Sequence, residues 1–296
     1  MTLRALLRLC RIPNVFTAFA NVAAGVLLAR GGAFALRDGL LLAASGCIYL
    51  AGMVLNDFFD RDWDALERPE RPIPLGEVAP GLALALGVAL LACGVALAAS
   101  FSSVAGSVAA GLACAVLLYD GGIKTGPLGP LAMGTCRFIN VCLGMTAAGT
   151  SAPPEAWMWI APLTMGAYTA AITSLSRDEV VGSRTGRARR AVIEVAVVLV
   201  AALAALAAAS PASHLGGFLW LAPFAGFVAW RARGVFGPVL AEPSAAAIGR
   251  AVGGGILLMP AIDAAMVAAA GWPEAALAVT AMAVPAWLLK RRFYMT

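Results

Sequence analysis

Asn56, Asp57, Asp60 and Asp64 stand one, three and four residues apart in the stretch NDFFDRDWD. On a helix the four side chains fall within about a 100° arc, and Asp62 points to the opposite side. One face therefore offers three carboxylates and an amide, hard oxygen donors suited to a divalent cation such as Mg2+. Seven of the chain's sixteen acids lie in the 21 positions from Asp57 to Glu77, and they follow an apolar run, Gly39 to Leu55, long enough to be a membrane helix. Carboxylates at the mouth of such a helix mark a functional site by default, because charge there is costly to keep. Arg68 and Arg71 follow, each before a proline that stiffens the chain. Acids alternating with arginines fit a metal-bound anion, with Mg2+ on the acids and guanidinium forks on phosphate oxygens.

Two further stretches carry polar groups that a membrane protein would not keep idle. In YDGGIKTGPLGPLAMGTCRFIN, Tyr119 and Lys124 flank a Gly-Gly turn, and Arg137 and Asn140 lie inside the apolar segment that follows. An intramembrane arginine should face a cavity or an anion, and Asn140 could line the same cavity. In SLSRDEVVGSRTGRARR, Ser176 and Arg177 precede the adjacent pair Asp178 and Glu179, which diverge by about 100° on a helix. The basic run from Arg184 to Arg190 reads as an orientation signal with lipid-phosphate contacts. Asp263, a lone acid deep in an apolar segment, either partners Arg137, lines the cavity or makes a structural hydrogen bond to a neighbouring helix.

These groups need a scaffold, and composition names it. The chain has 296 residues, 61% hydrophobic and 12% charged, with a mean hydropathy of +0.87. This is an all-α polytopic membrane protein, since no ten-residue segments of alternating polarity point to a barrel. Ten spans are expected, near 13–30, 39–57, 80–100, 102–119, 127–149, 156–176, 190–210, 214–231, 247–270 and 274–290, in one domain covering 1–296. The first follows Arg4, Arg8 and Arg11 and is read as an uncleaved span rather than a leader. A net charge of +5 calls for no nucleic-acid partner, because the basic residues sit in short loops. The six cysteines form no CxxC and read as small buried residues, and His214 alone cannot build a metal site. An apolar helix ending in polar residues before a long polar loop occurs at 39–79 and again at 156–189, which hints at two related halves.

At this point the chain resembles the UbiA superfamily of intramembrane prenyltransferases. The likeness rests on NDFFDRDWD, which fits the NDxxDxxxD signature, and on the RPERPIPLGEV that follows. Support comes from LLRLCRIPNVFTAFANVAAG, from YDGGIK ahead of Gly134, Arg137 and Gly144, and from the polar loop after the sixth span. The resemblance implies about nine to ten transmembrane helices around a central cavity open to lipid, and Mg2+-dependent transfer of an isoprenyl group from a prenyl diphosphate to an acceptor. By position it assigns Asn56, Asp57, Asp60 and Asp64 to the metal. Arg68, Arg71 and Lys124 would neutralise the departing diphosphate, and Tyr119 and Arg137 would shape the pocket. Partners would be the prenyl diphosphate, an unidentified acceptor and membrane lipid, in a bacterial inner (plasma) membrane.

One departure stands out. Where the family carries a second DxxxD motif, this chain has SLSRDEVVG, with Gly182 four residues after Asp178. The SRDE form resembles the UbiA-like branch of Ebo-type gene clusters. There Arg177 would replace part of a missing cation's charge, and Asp178 or Glu179 would bind metal or acceptor. Two competing readings are a UbiA-fold enzyme moving a phosphosugar onto a prenyl phosphate, and a carrier or flippase for a lipid-linked precursor. Charge gathered on one side favours an enzyme over an inverted-repeat transporter.

Orientation follows from the basic residues. With the N-terminus inside, 18 of the 21 Lys and Arg fall in cytoplasmic segments; Arg30 and Arg37 fall outside and Arg137 lies within a span. Reporter fusions at Thr296 and near Ser151 should therefore report opposite sides of the membrane. The same side for both would remove the even-numbered topology.

Overall fold

The computed structural model describes residues 2–149, 154–177, 186–209 and 215–290. Among these, every regular element is helical, as expected where lipid offers backbone groups no hydrogen-bond partner. Helix α1 (Leu3–Leu9) leads into α2 (Val15–Ala29). Next come α3 (Gly39–Phe59), the short α4 (Arg61–Glu67), α5 (Pro80–Phe101) and α6 (Ser103–Asp120). The chain continues through α7 (Gly129–Met145), α8 (Ile160–Ser176), α9 (Arg187–Ala209), α10 (Leu215–Ala241) and α11 (Ala245–Ala269), and ends with α12 (Pro273–Ala281) and α13 (Ala283–Lys290). Prolines open α5, α7 and α12, where the missing N–H costs nothing. Ser102 and Ser244 cap α6 and α11 by accepting from Ala105 and Ala247 amides.

Each expected span coincides with a helix, or with the α12–α13 pair in the case of 274–290. The count of ten is approximate. Among the described residues, seven helices are long and apolar enough to cross a membrane. Of the rest, α8 has 17 residues, α10 contains Pro223 and Pro238, and the final segment breaks at Met282. The acidic helix also differs from a straight rod. Helix α3 ends at Phe59, Asp60 forms the turn, and α4 resumes at Arg61.

Two apolar clusters share a seam. One joins α2, α3, α5, α6 and α7 through Val22, Leu41, Ile48, Leu91, Leu112 and Leu143. The other joins α2 and α7 to α8–α12 through Leu28, Val141, Tyr168, Val192, Phe236 and Met259, among others. Burial grades outward from this seam: 78% of the α2 and α11 windows is buried against 28% of α5 and α9, which present their apolar faces to lipid. At the seam the backbones touch. A Cβ on Gly25 would collide with the Val141 carbonyl oxygen, and one on Gly144 with that of Val22. Gly134 and Gly166 allow the same approach between α7 and α8. In lipid, where apolar side chains gain little by leaving the solvent, such close packing is the main source of helix association.

Gly144→Val should therefore lower the thermal midpoint in detergent, with an overpacking cost of about 1–3 kcal/mol. Gly111→Val, where an added Cβ meets nothing within 4 Å, is the matched control. An equal loss for both would show that the α2–α7 contact is not special.

Candidate active site

The helices enclose a cavity of about 670 Å3. Its inner wall is largely apolar, with Ile48 on α3, Leu112 and Val116 on α6, Ile172 on α8, and Val252, Ile256 and Met259 on α11, interrupted by Ser45, Arg137, Asn140 and Thr169. Its mouth is charged, with Arg11, Asn56, Asp60, Asp64, Arg68, Arg71, Asp120, Lys124 and Arg177. The turn at Asp60 swings α4 so that Asp64 stays over the opening, while the Asp62 side chain is 87% exposed and, among the described residues, pairs only with its neighbour Arg61.

The mouth is a chain of ion pairs. Asp57 is buried behind the lining, its Oδ1 2.8 Å from Arg11 Nη2 and 3.3 Å from Arg71 Nη1. Arg71 Nη1 also reaches Asp64 Oδ2 at 2.6 Å. Lys124 Nζ lies 2.6 Å from Asp60 Oδ1 and donates to Asn56 Oδ1 at 3.3 Å. Asn56 Nδ2 in turn donates to Asp60 Oδ2. Burial raises the Asp64 carboxyl above its usual range; the Arg71 charge and hydrogen bond offset this in part, and Asp57 and Asp60 add to it. Arg177 donates to the carbonyl oxygens of Lys124 and Gly126, so it braces the loop that carries Lys124. Arg68 lines the mouth with no ion-pair partner among the described residues.

Deeper in, a second polar network ties the seam together. Arg137, 7% exposed, donates from Nη1 to Asn21 Oδ1 and from Nη2 to Thr17 Oγ1, both at 3.0 Å. Its guanidinium lies 5.1 Å over the Tyr49 ring. Asn21 Nδ2 donates onward to Asp263 Oδ2 at 2.6 Å. Asp263 thus meets Arg137 only through Asn21, and it is absent from the cavity wall. Asn140 donates to the Ala18 carbonyl and accepts from Ser45 Oγ at 2.6 Å, so it holds α7 against both α2 and α3.

The cavity brings together Asn56, Asp60, Asp64, Arg68, Arg71, Tyr119, Lys124, Arg137, Asn140 and Arg177 from four separate stretches of chain. Asp57 sits one layer back. Asp178 and Glu179 lie outside the described residues. Sequence reasoning passed over Arg11, Ser45, Tyr49 and Asp120, all of which line the cavity. Arg11 reads as an orientation charge. Asp120 carried a usable signal, an acid at the last position of an apolar run. Among the described residues, no three His, Cys, Asp or Glu side chains converge to hold a metal by themselves. The donors on offer are nonetheless the hard oxygens that Mg2+ takes, and that ion is commonly held by one or two carboxylates plus waters and substrate phosphates.

Removing Asp57 would leave Arg11 without its counter-ion and Arg71 with Asp64 alone. Asp57→Ala should cost about 3–5 kcal/mol of stability, the scale for breaking a buried pair, whereas Asp62→Ala should leave the thermal midpoint unchanged. Equal midpoints for both variants would show that the Arg11–Asp57–Arg71 chain holds nothing in place.

Residues 18–249 match the model of the UbiA prenyltransferase family. A digeranylgeranylglyceryl phosphate synthase of Saccharolobus solfataricus is 33% identical over 147 residues, 49% of this chain and 52% of that protein. The chain spans about half the length of the curated relatives it matches. A UbiA homolog from Aeropyrum pernix K1 superposes with a TM-score of 0.65 at 23% identity, over 86% of this chain and 97% of that one. A UbiA homolog from Archaeoglobus fulgidus, bound to GPP and Mg2+, gives 0.56 at 14% identity, over 94% and 99%. An apolar cavity among membrane helices, an acid-and-arginine mouth on the NDFFDRDWD stretch and a family match over most of the length lead to one assignment: the chain belongs to the UbiA prenyltransferase family.

Proposed function

We propose that the chain is a Mg2+-dependent intramembrane prenyltransferase, and that its acceptor is a hydroxyl of a glycerophosphate lipid precursor. The observation that carries the reading is the shape of the cavity, apolar within and charged at one mouth, which matches a molecule with a hydrocarbon tail and a diphosphate head. Support for the metal and donor comes from the structural neighbour bound to GPP and Mg2+. Support for the acceptor comes from relatives named as digeranylgeranylglyceryl phosphate synthases.

In this reading Asn56, Asp60 and Asp64 hold the metal, and Asp57 keeps Arg11 and Arg71 in position behind them. Bound Mg2+ would draw charge from the leaving diphosphate. Arg68, Arg71 and Lys124 meet the diphosphate oxygens, and they do so more strongly as substrate excludes water from the mouth. The isoprenyl tail lies along Ile48, Leu112, Val116, Ile172 and Ile256, which keep water from the allylic centre. The C1–O bond to diphosphate breaks, and the acceptor oxygen forms the new bond to C1. The acceptor's proton leaves, so the products are the prenyl ether, diphosphate and one proton. Arg137 and Asn140 fix the inner wall, and Tyr119 shapes it near the mouth.

The test is diphosphate release by the purified protein given geranylgeranyl diphosphate, a geranylgeranylglyceryl phosphate acceptor and Mg2+, with the product identified by mass spectrometry. Release should depend on acceptor, stop with EDTA and return with Mg2+. Asp60→Ala should lose about 100-fold or more, the scale of removing one group that stabilises developing charge. Normal folding with no diphosphate release from any prenyl diphosphate, together with movement of a lipid-linked precursor across vesicles, would favour the carrier reading instead.

A further inference from the structure

Asp120 is the last residue of α6, only 4% exposed, and it lines the cavity mouth. Every other buried acid at the mouth has a base in contact: Asp57 has Arg11 and Arg71, and Asp64 has Arg71. Asp120 has neither a hydrogen-bond nor an ion-pair partner for its carboxylate among the described residues. Its nearest charges are Lys124, Asp60, Arg11 and Asp57. Of the two bases, Lys124 is engaged by Asp60 at 2.6 Å and Arg11 by Asp57 at 2.8 Å.

Three effects act against leaving that carboxylate alone. Burial leaves its carboxylate little water, and no donor among the described residues replaces it. The C-terminal end of a helix presents unpaired carbonyls and a partial negative charge to it. Asp60, another acid, lines the same cavity and acts on Asp120 with like charge. A cation would answer all three. Arg68, at the same opening, also has no ion-pair partner, so among the described residues Asp120 lacks a cation and Arg68 an anion. A metal–diphosphate ligand supplies both at once.

We infer that Asp120, with Asp60, is a protein ligand for a divalent cation that enters together with the prenyl diphosphate. The inference rests on the prenyl-diphosphate reading given above. It needs no preformed cage of three acids, since two carboxylates leave the remaining positions to diphosphate oxygens and water, the arrangement Mg2+ commonly adopts. It also puts a ligand on α6, so that cation binding would join α6 to the α3–α4 turn across the mouth.

The test counts metal on the full-length chain in detergent, with Mn2+ as a paramagnetic probe and geranyl S-thiolodiphosphate as a donor that does not ionise readily. Free Mn2+ is read by electron paramagnetic resonance for the wild type, Asp120→Asn and Asp120→Glu. Asp120→Asn should bind one Mn2+ fewer, or bind with affinity about tenfold or more weaker, the scale of losing a group that supports a metal. Asp120→Glu should recover part of the binding. Without metal, the Asp120→Asn thermal midpoint should equal or exceed that of wild type, because an unpaired buried charge is gone; the midpoint gain on adding Mn2+ and analogue should shrink. Unchanged Mn2+ stoichiometry and affinity in Asp120→Asn would overturn the assignment while leaving the prenyltransferase reading intact. So would a metal-free midpoint well below wild type, which would mark Asp120 as structural. If the wild type itself takes up no Mn2+ with the analogue, both readings fall.

Discussion

Charge carried into a medium that does not solvate it must find a partner, and the Asp57 carboxylate between Arg11 and Arg71 is where this protein meets that constraint most tightly. The pairings draw together three stretches that lie far apart in sequence: the turn before α2, the end of α3 and the loop after α4. Without Asp57, Arg11 would lose its carboxylate partner and the two guanidinium groups would share only Asp64, which contacts Arg71. With it, Arg71 is held where it can also reach Asp64. The other mouth residues depend on that frame.

The same constraint acts at depth, with a different solution. Among the described residues Arg137 has no carboxylate in direct contact; its charge is answered through Asn21, which accepts from the guanidinium and donates to Asp263. The amide can serve both because it carries an acceptor and a donor at opposite corners. The close approach of α2 and α7 at Gly25 and Gly144 makes this relay possible, since it places Thr17 and Asn21 against Arg137. Packing and electrostatics are therefore one arrangement here. The glycines bring the backbones together, and the polar side chains hold that register against alternatives.

Charge balance at the mouth also bears on how such a site works. Among the described residues, Arg11, Asp57, Asp60, Asp64, Arg71 and Lys124 pair with one another at the mouth, while Asp120 and Arg68 have no ion-pair partner. In the proposed function, a metal–diphosphate ligand would exchange partners with an existing network rather than fill an undefended cluster of acids. Each Lys or Arg freed from a carboxylate by the metal becomes available to a phosphate oxygen. A pocket of this kind favours ligands that bring both charges over a bare anion or a bare cation.

The amino-acid order alone sets the fold class, because lipid permits few backbone solutions and apolar runs of this length must become helices. It also determined most of the mouth: the period of a helix places Asn56, Asp60 and Asp64 on one side and Asp62 on the other, and the arginines before prolines follow at once. Only tertiary structure decided which of these residues face the cavity. Asp57 shares the acidic face by angle, yet the turn at Asp60 and the neighbouring arginines place it behind the wall. Arg11 looked like a loop charge, and Asp120 like the end of a membrane helix, until folding brought both to the opening. Periodicity relates side chains on one helix. It carries no information on which helices meet, and the partners of a buried charge are set by that meeting.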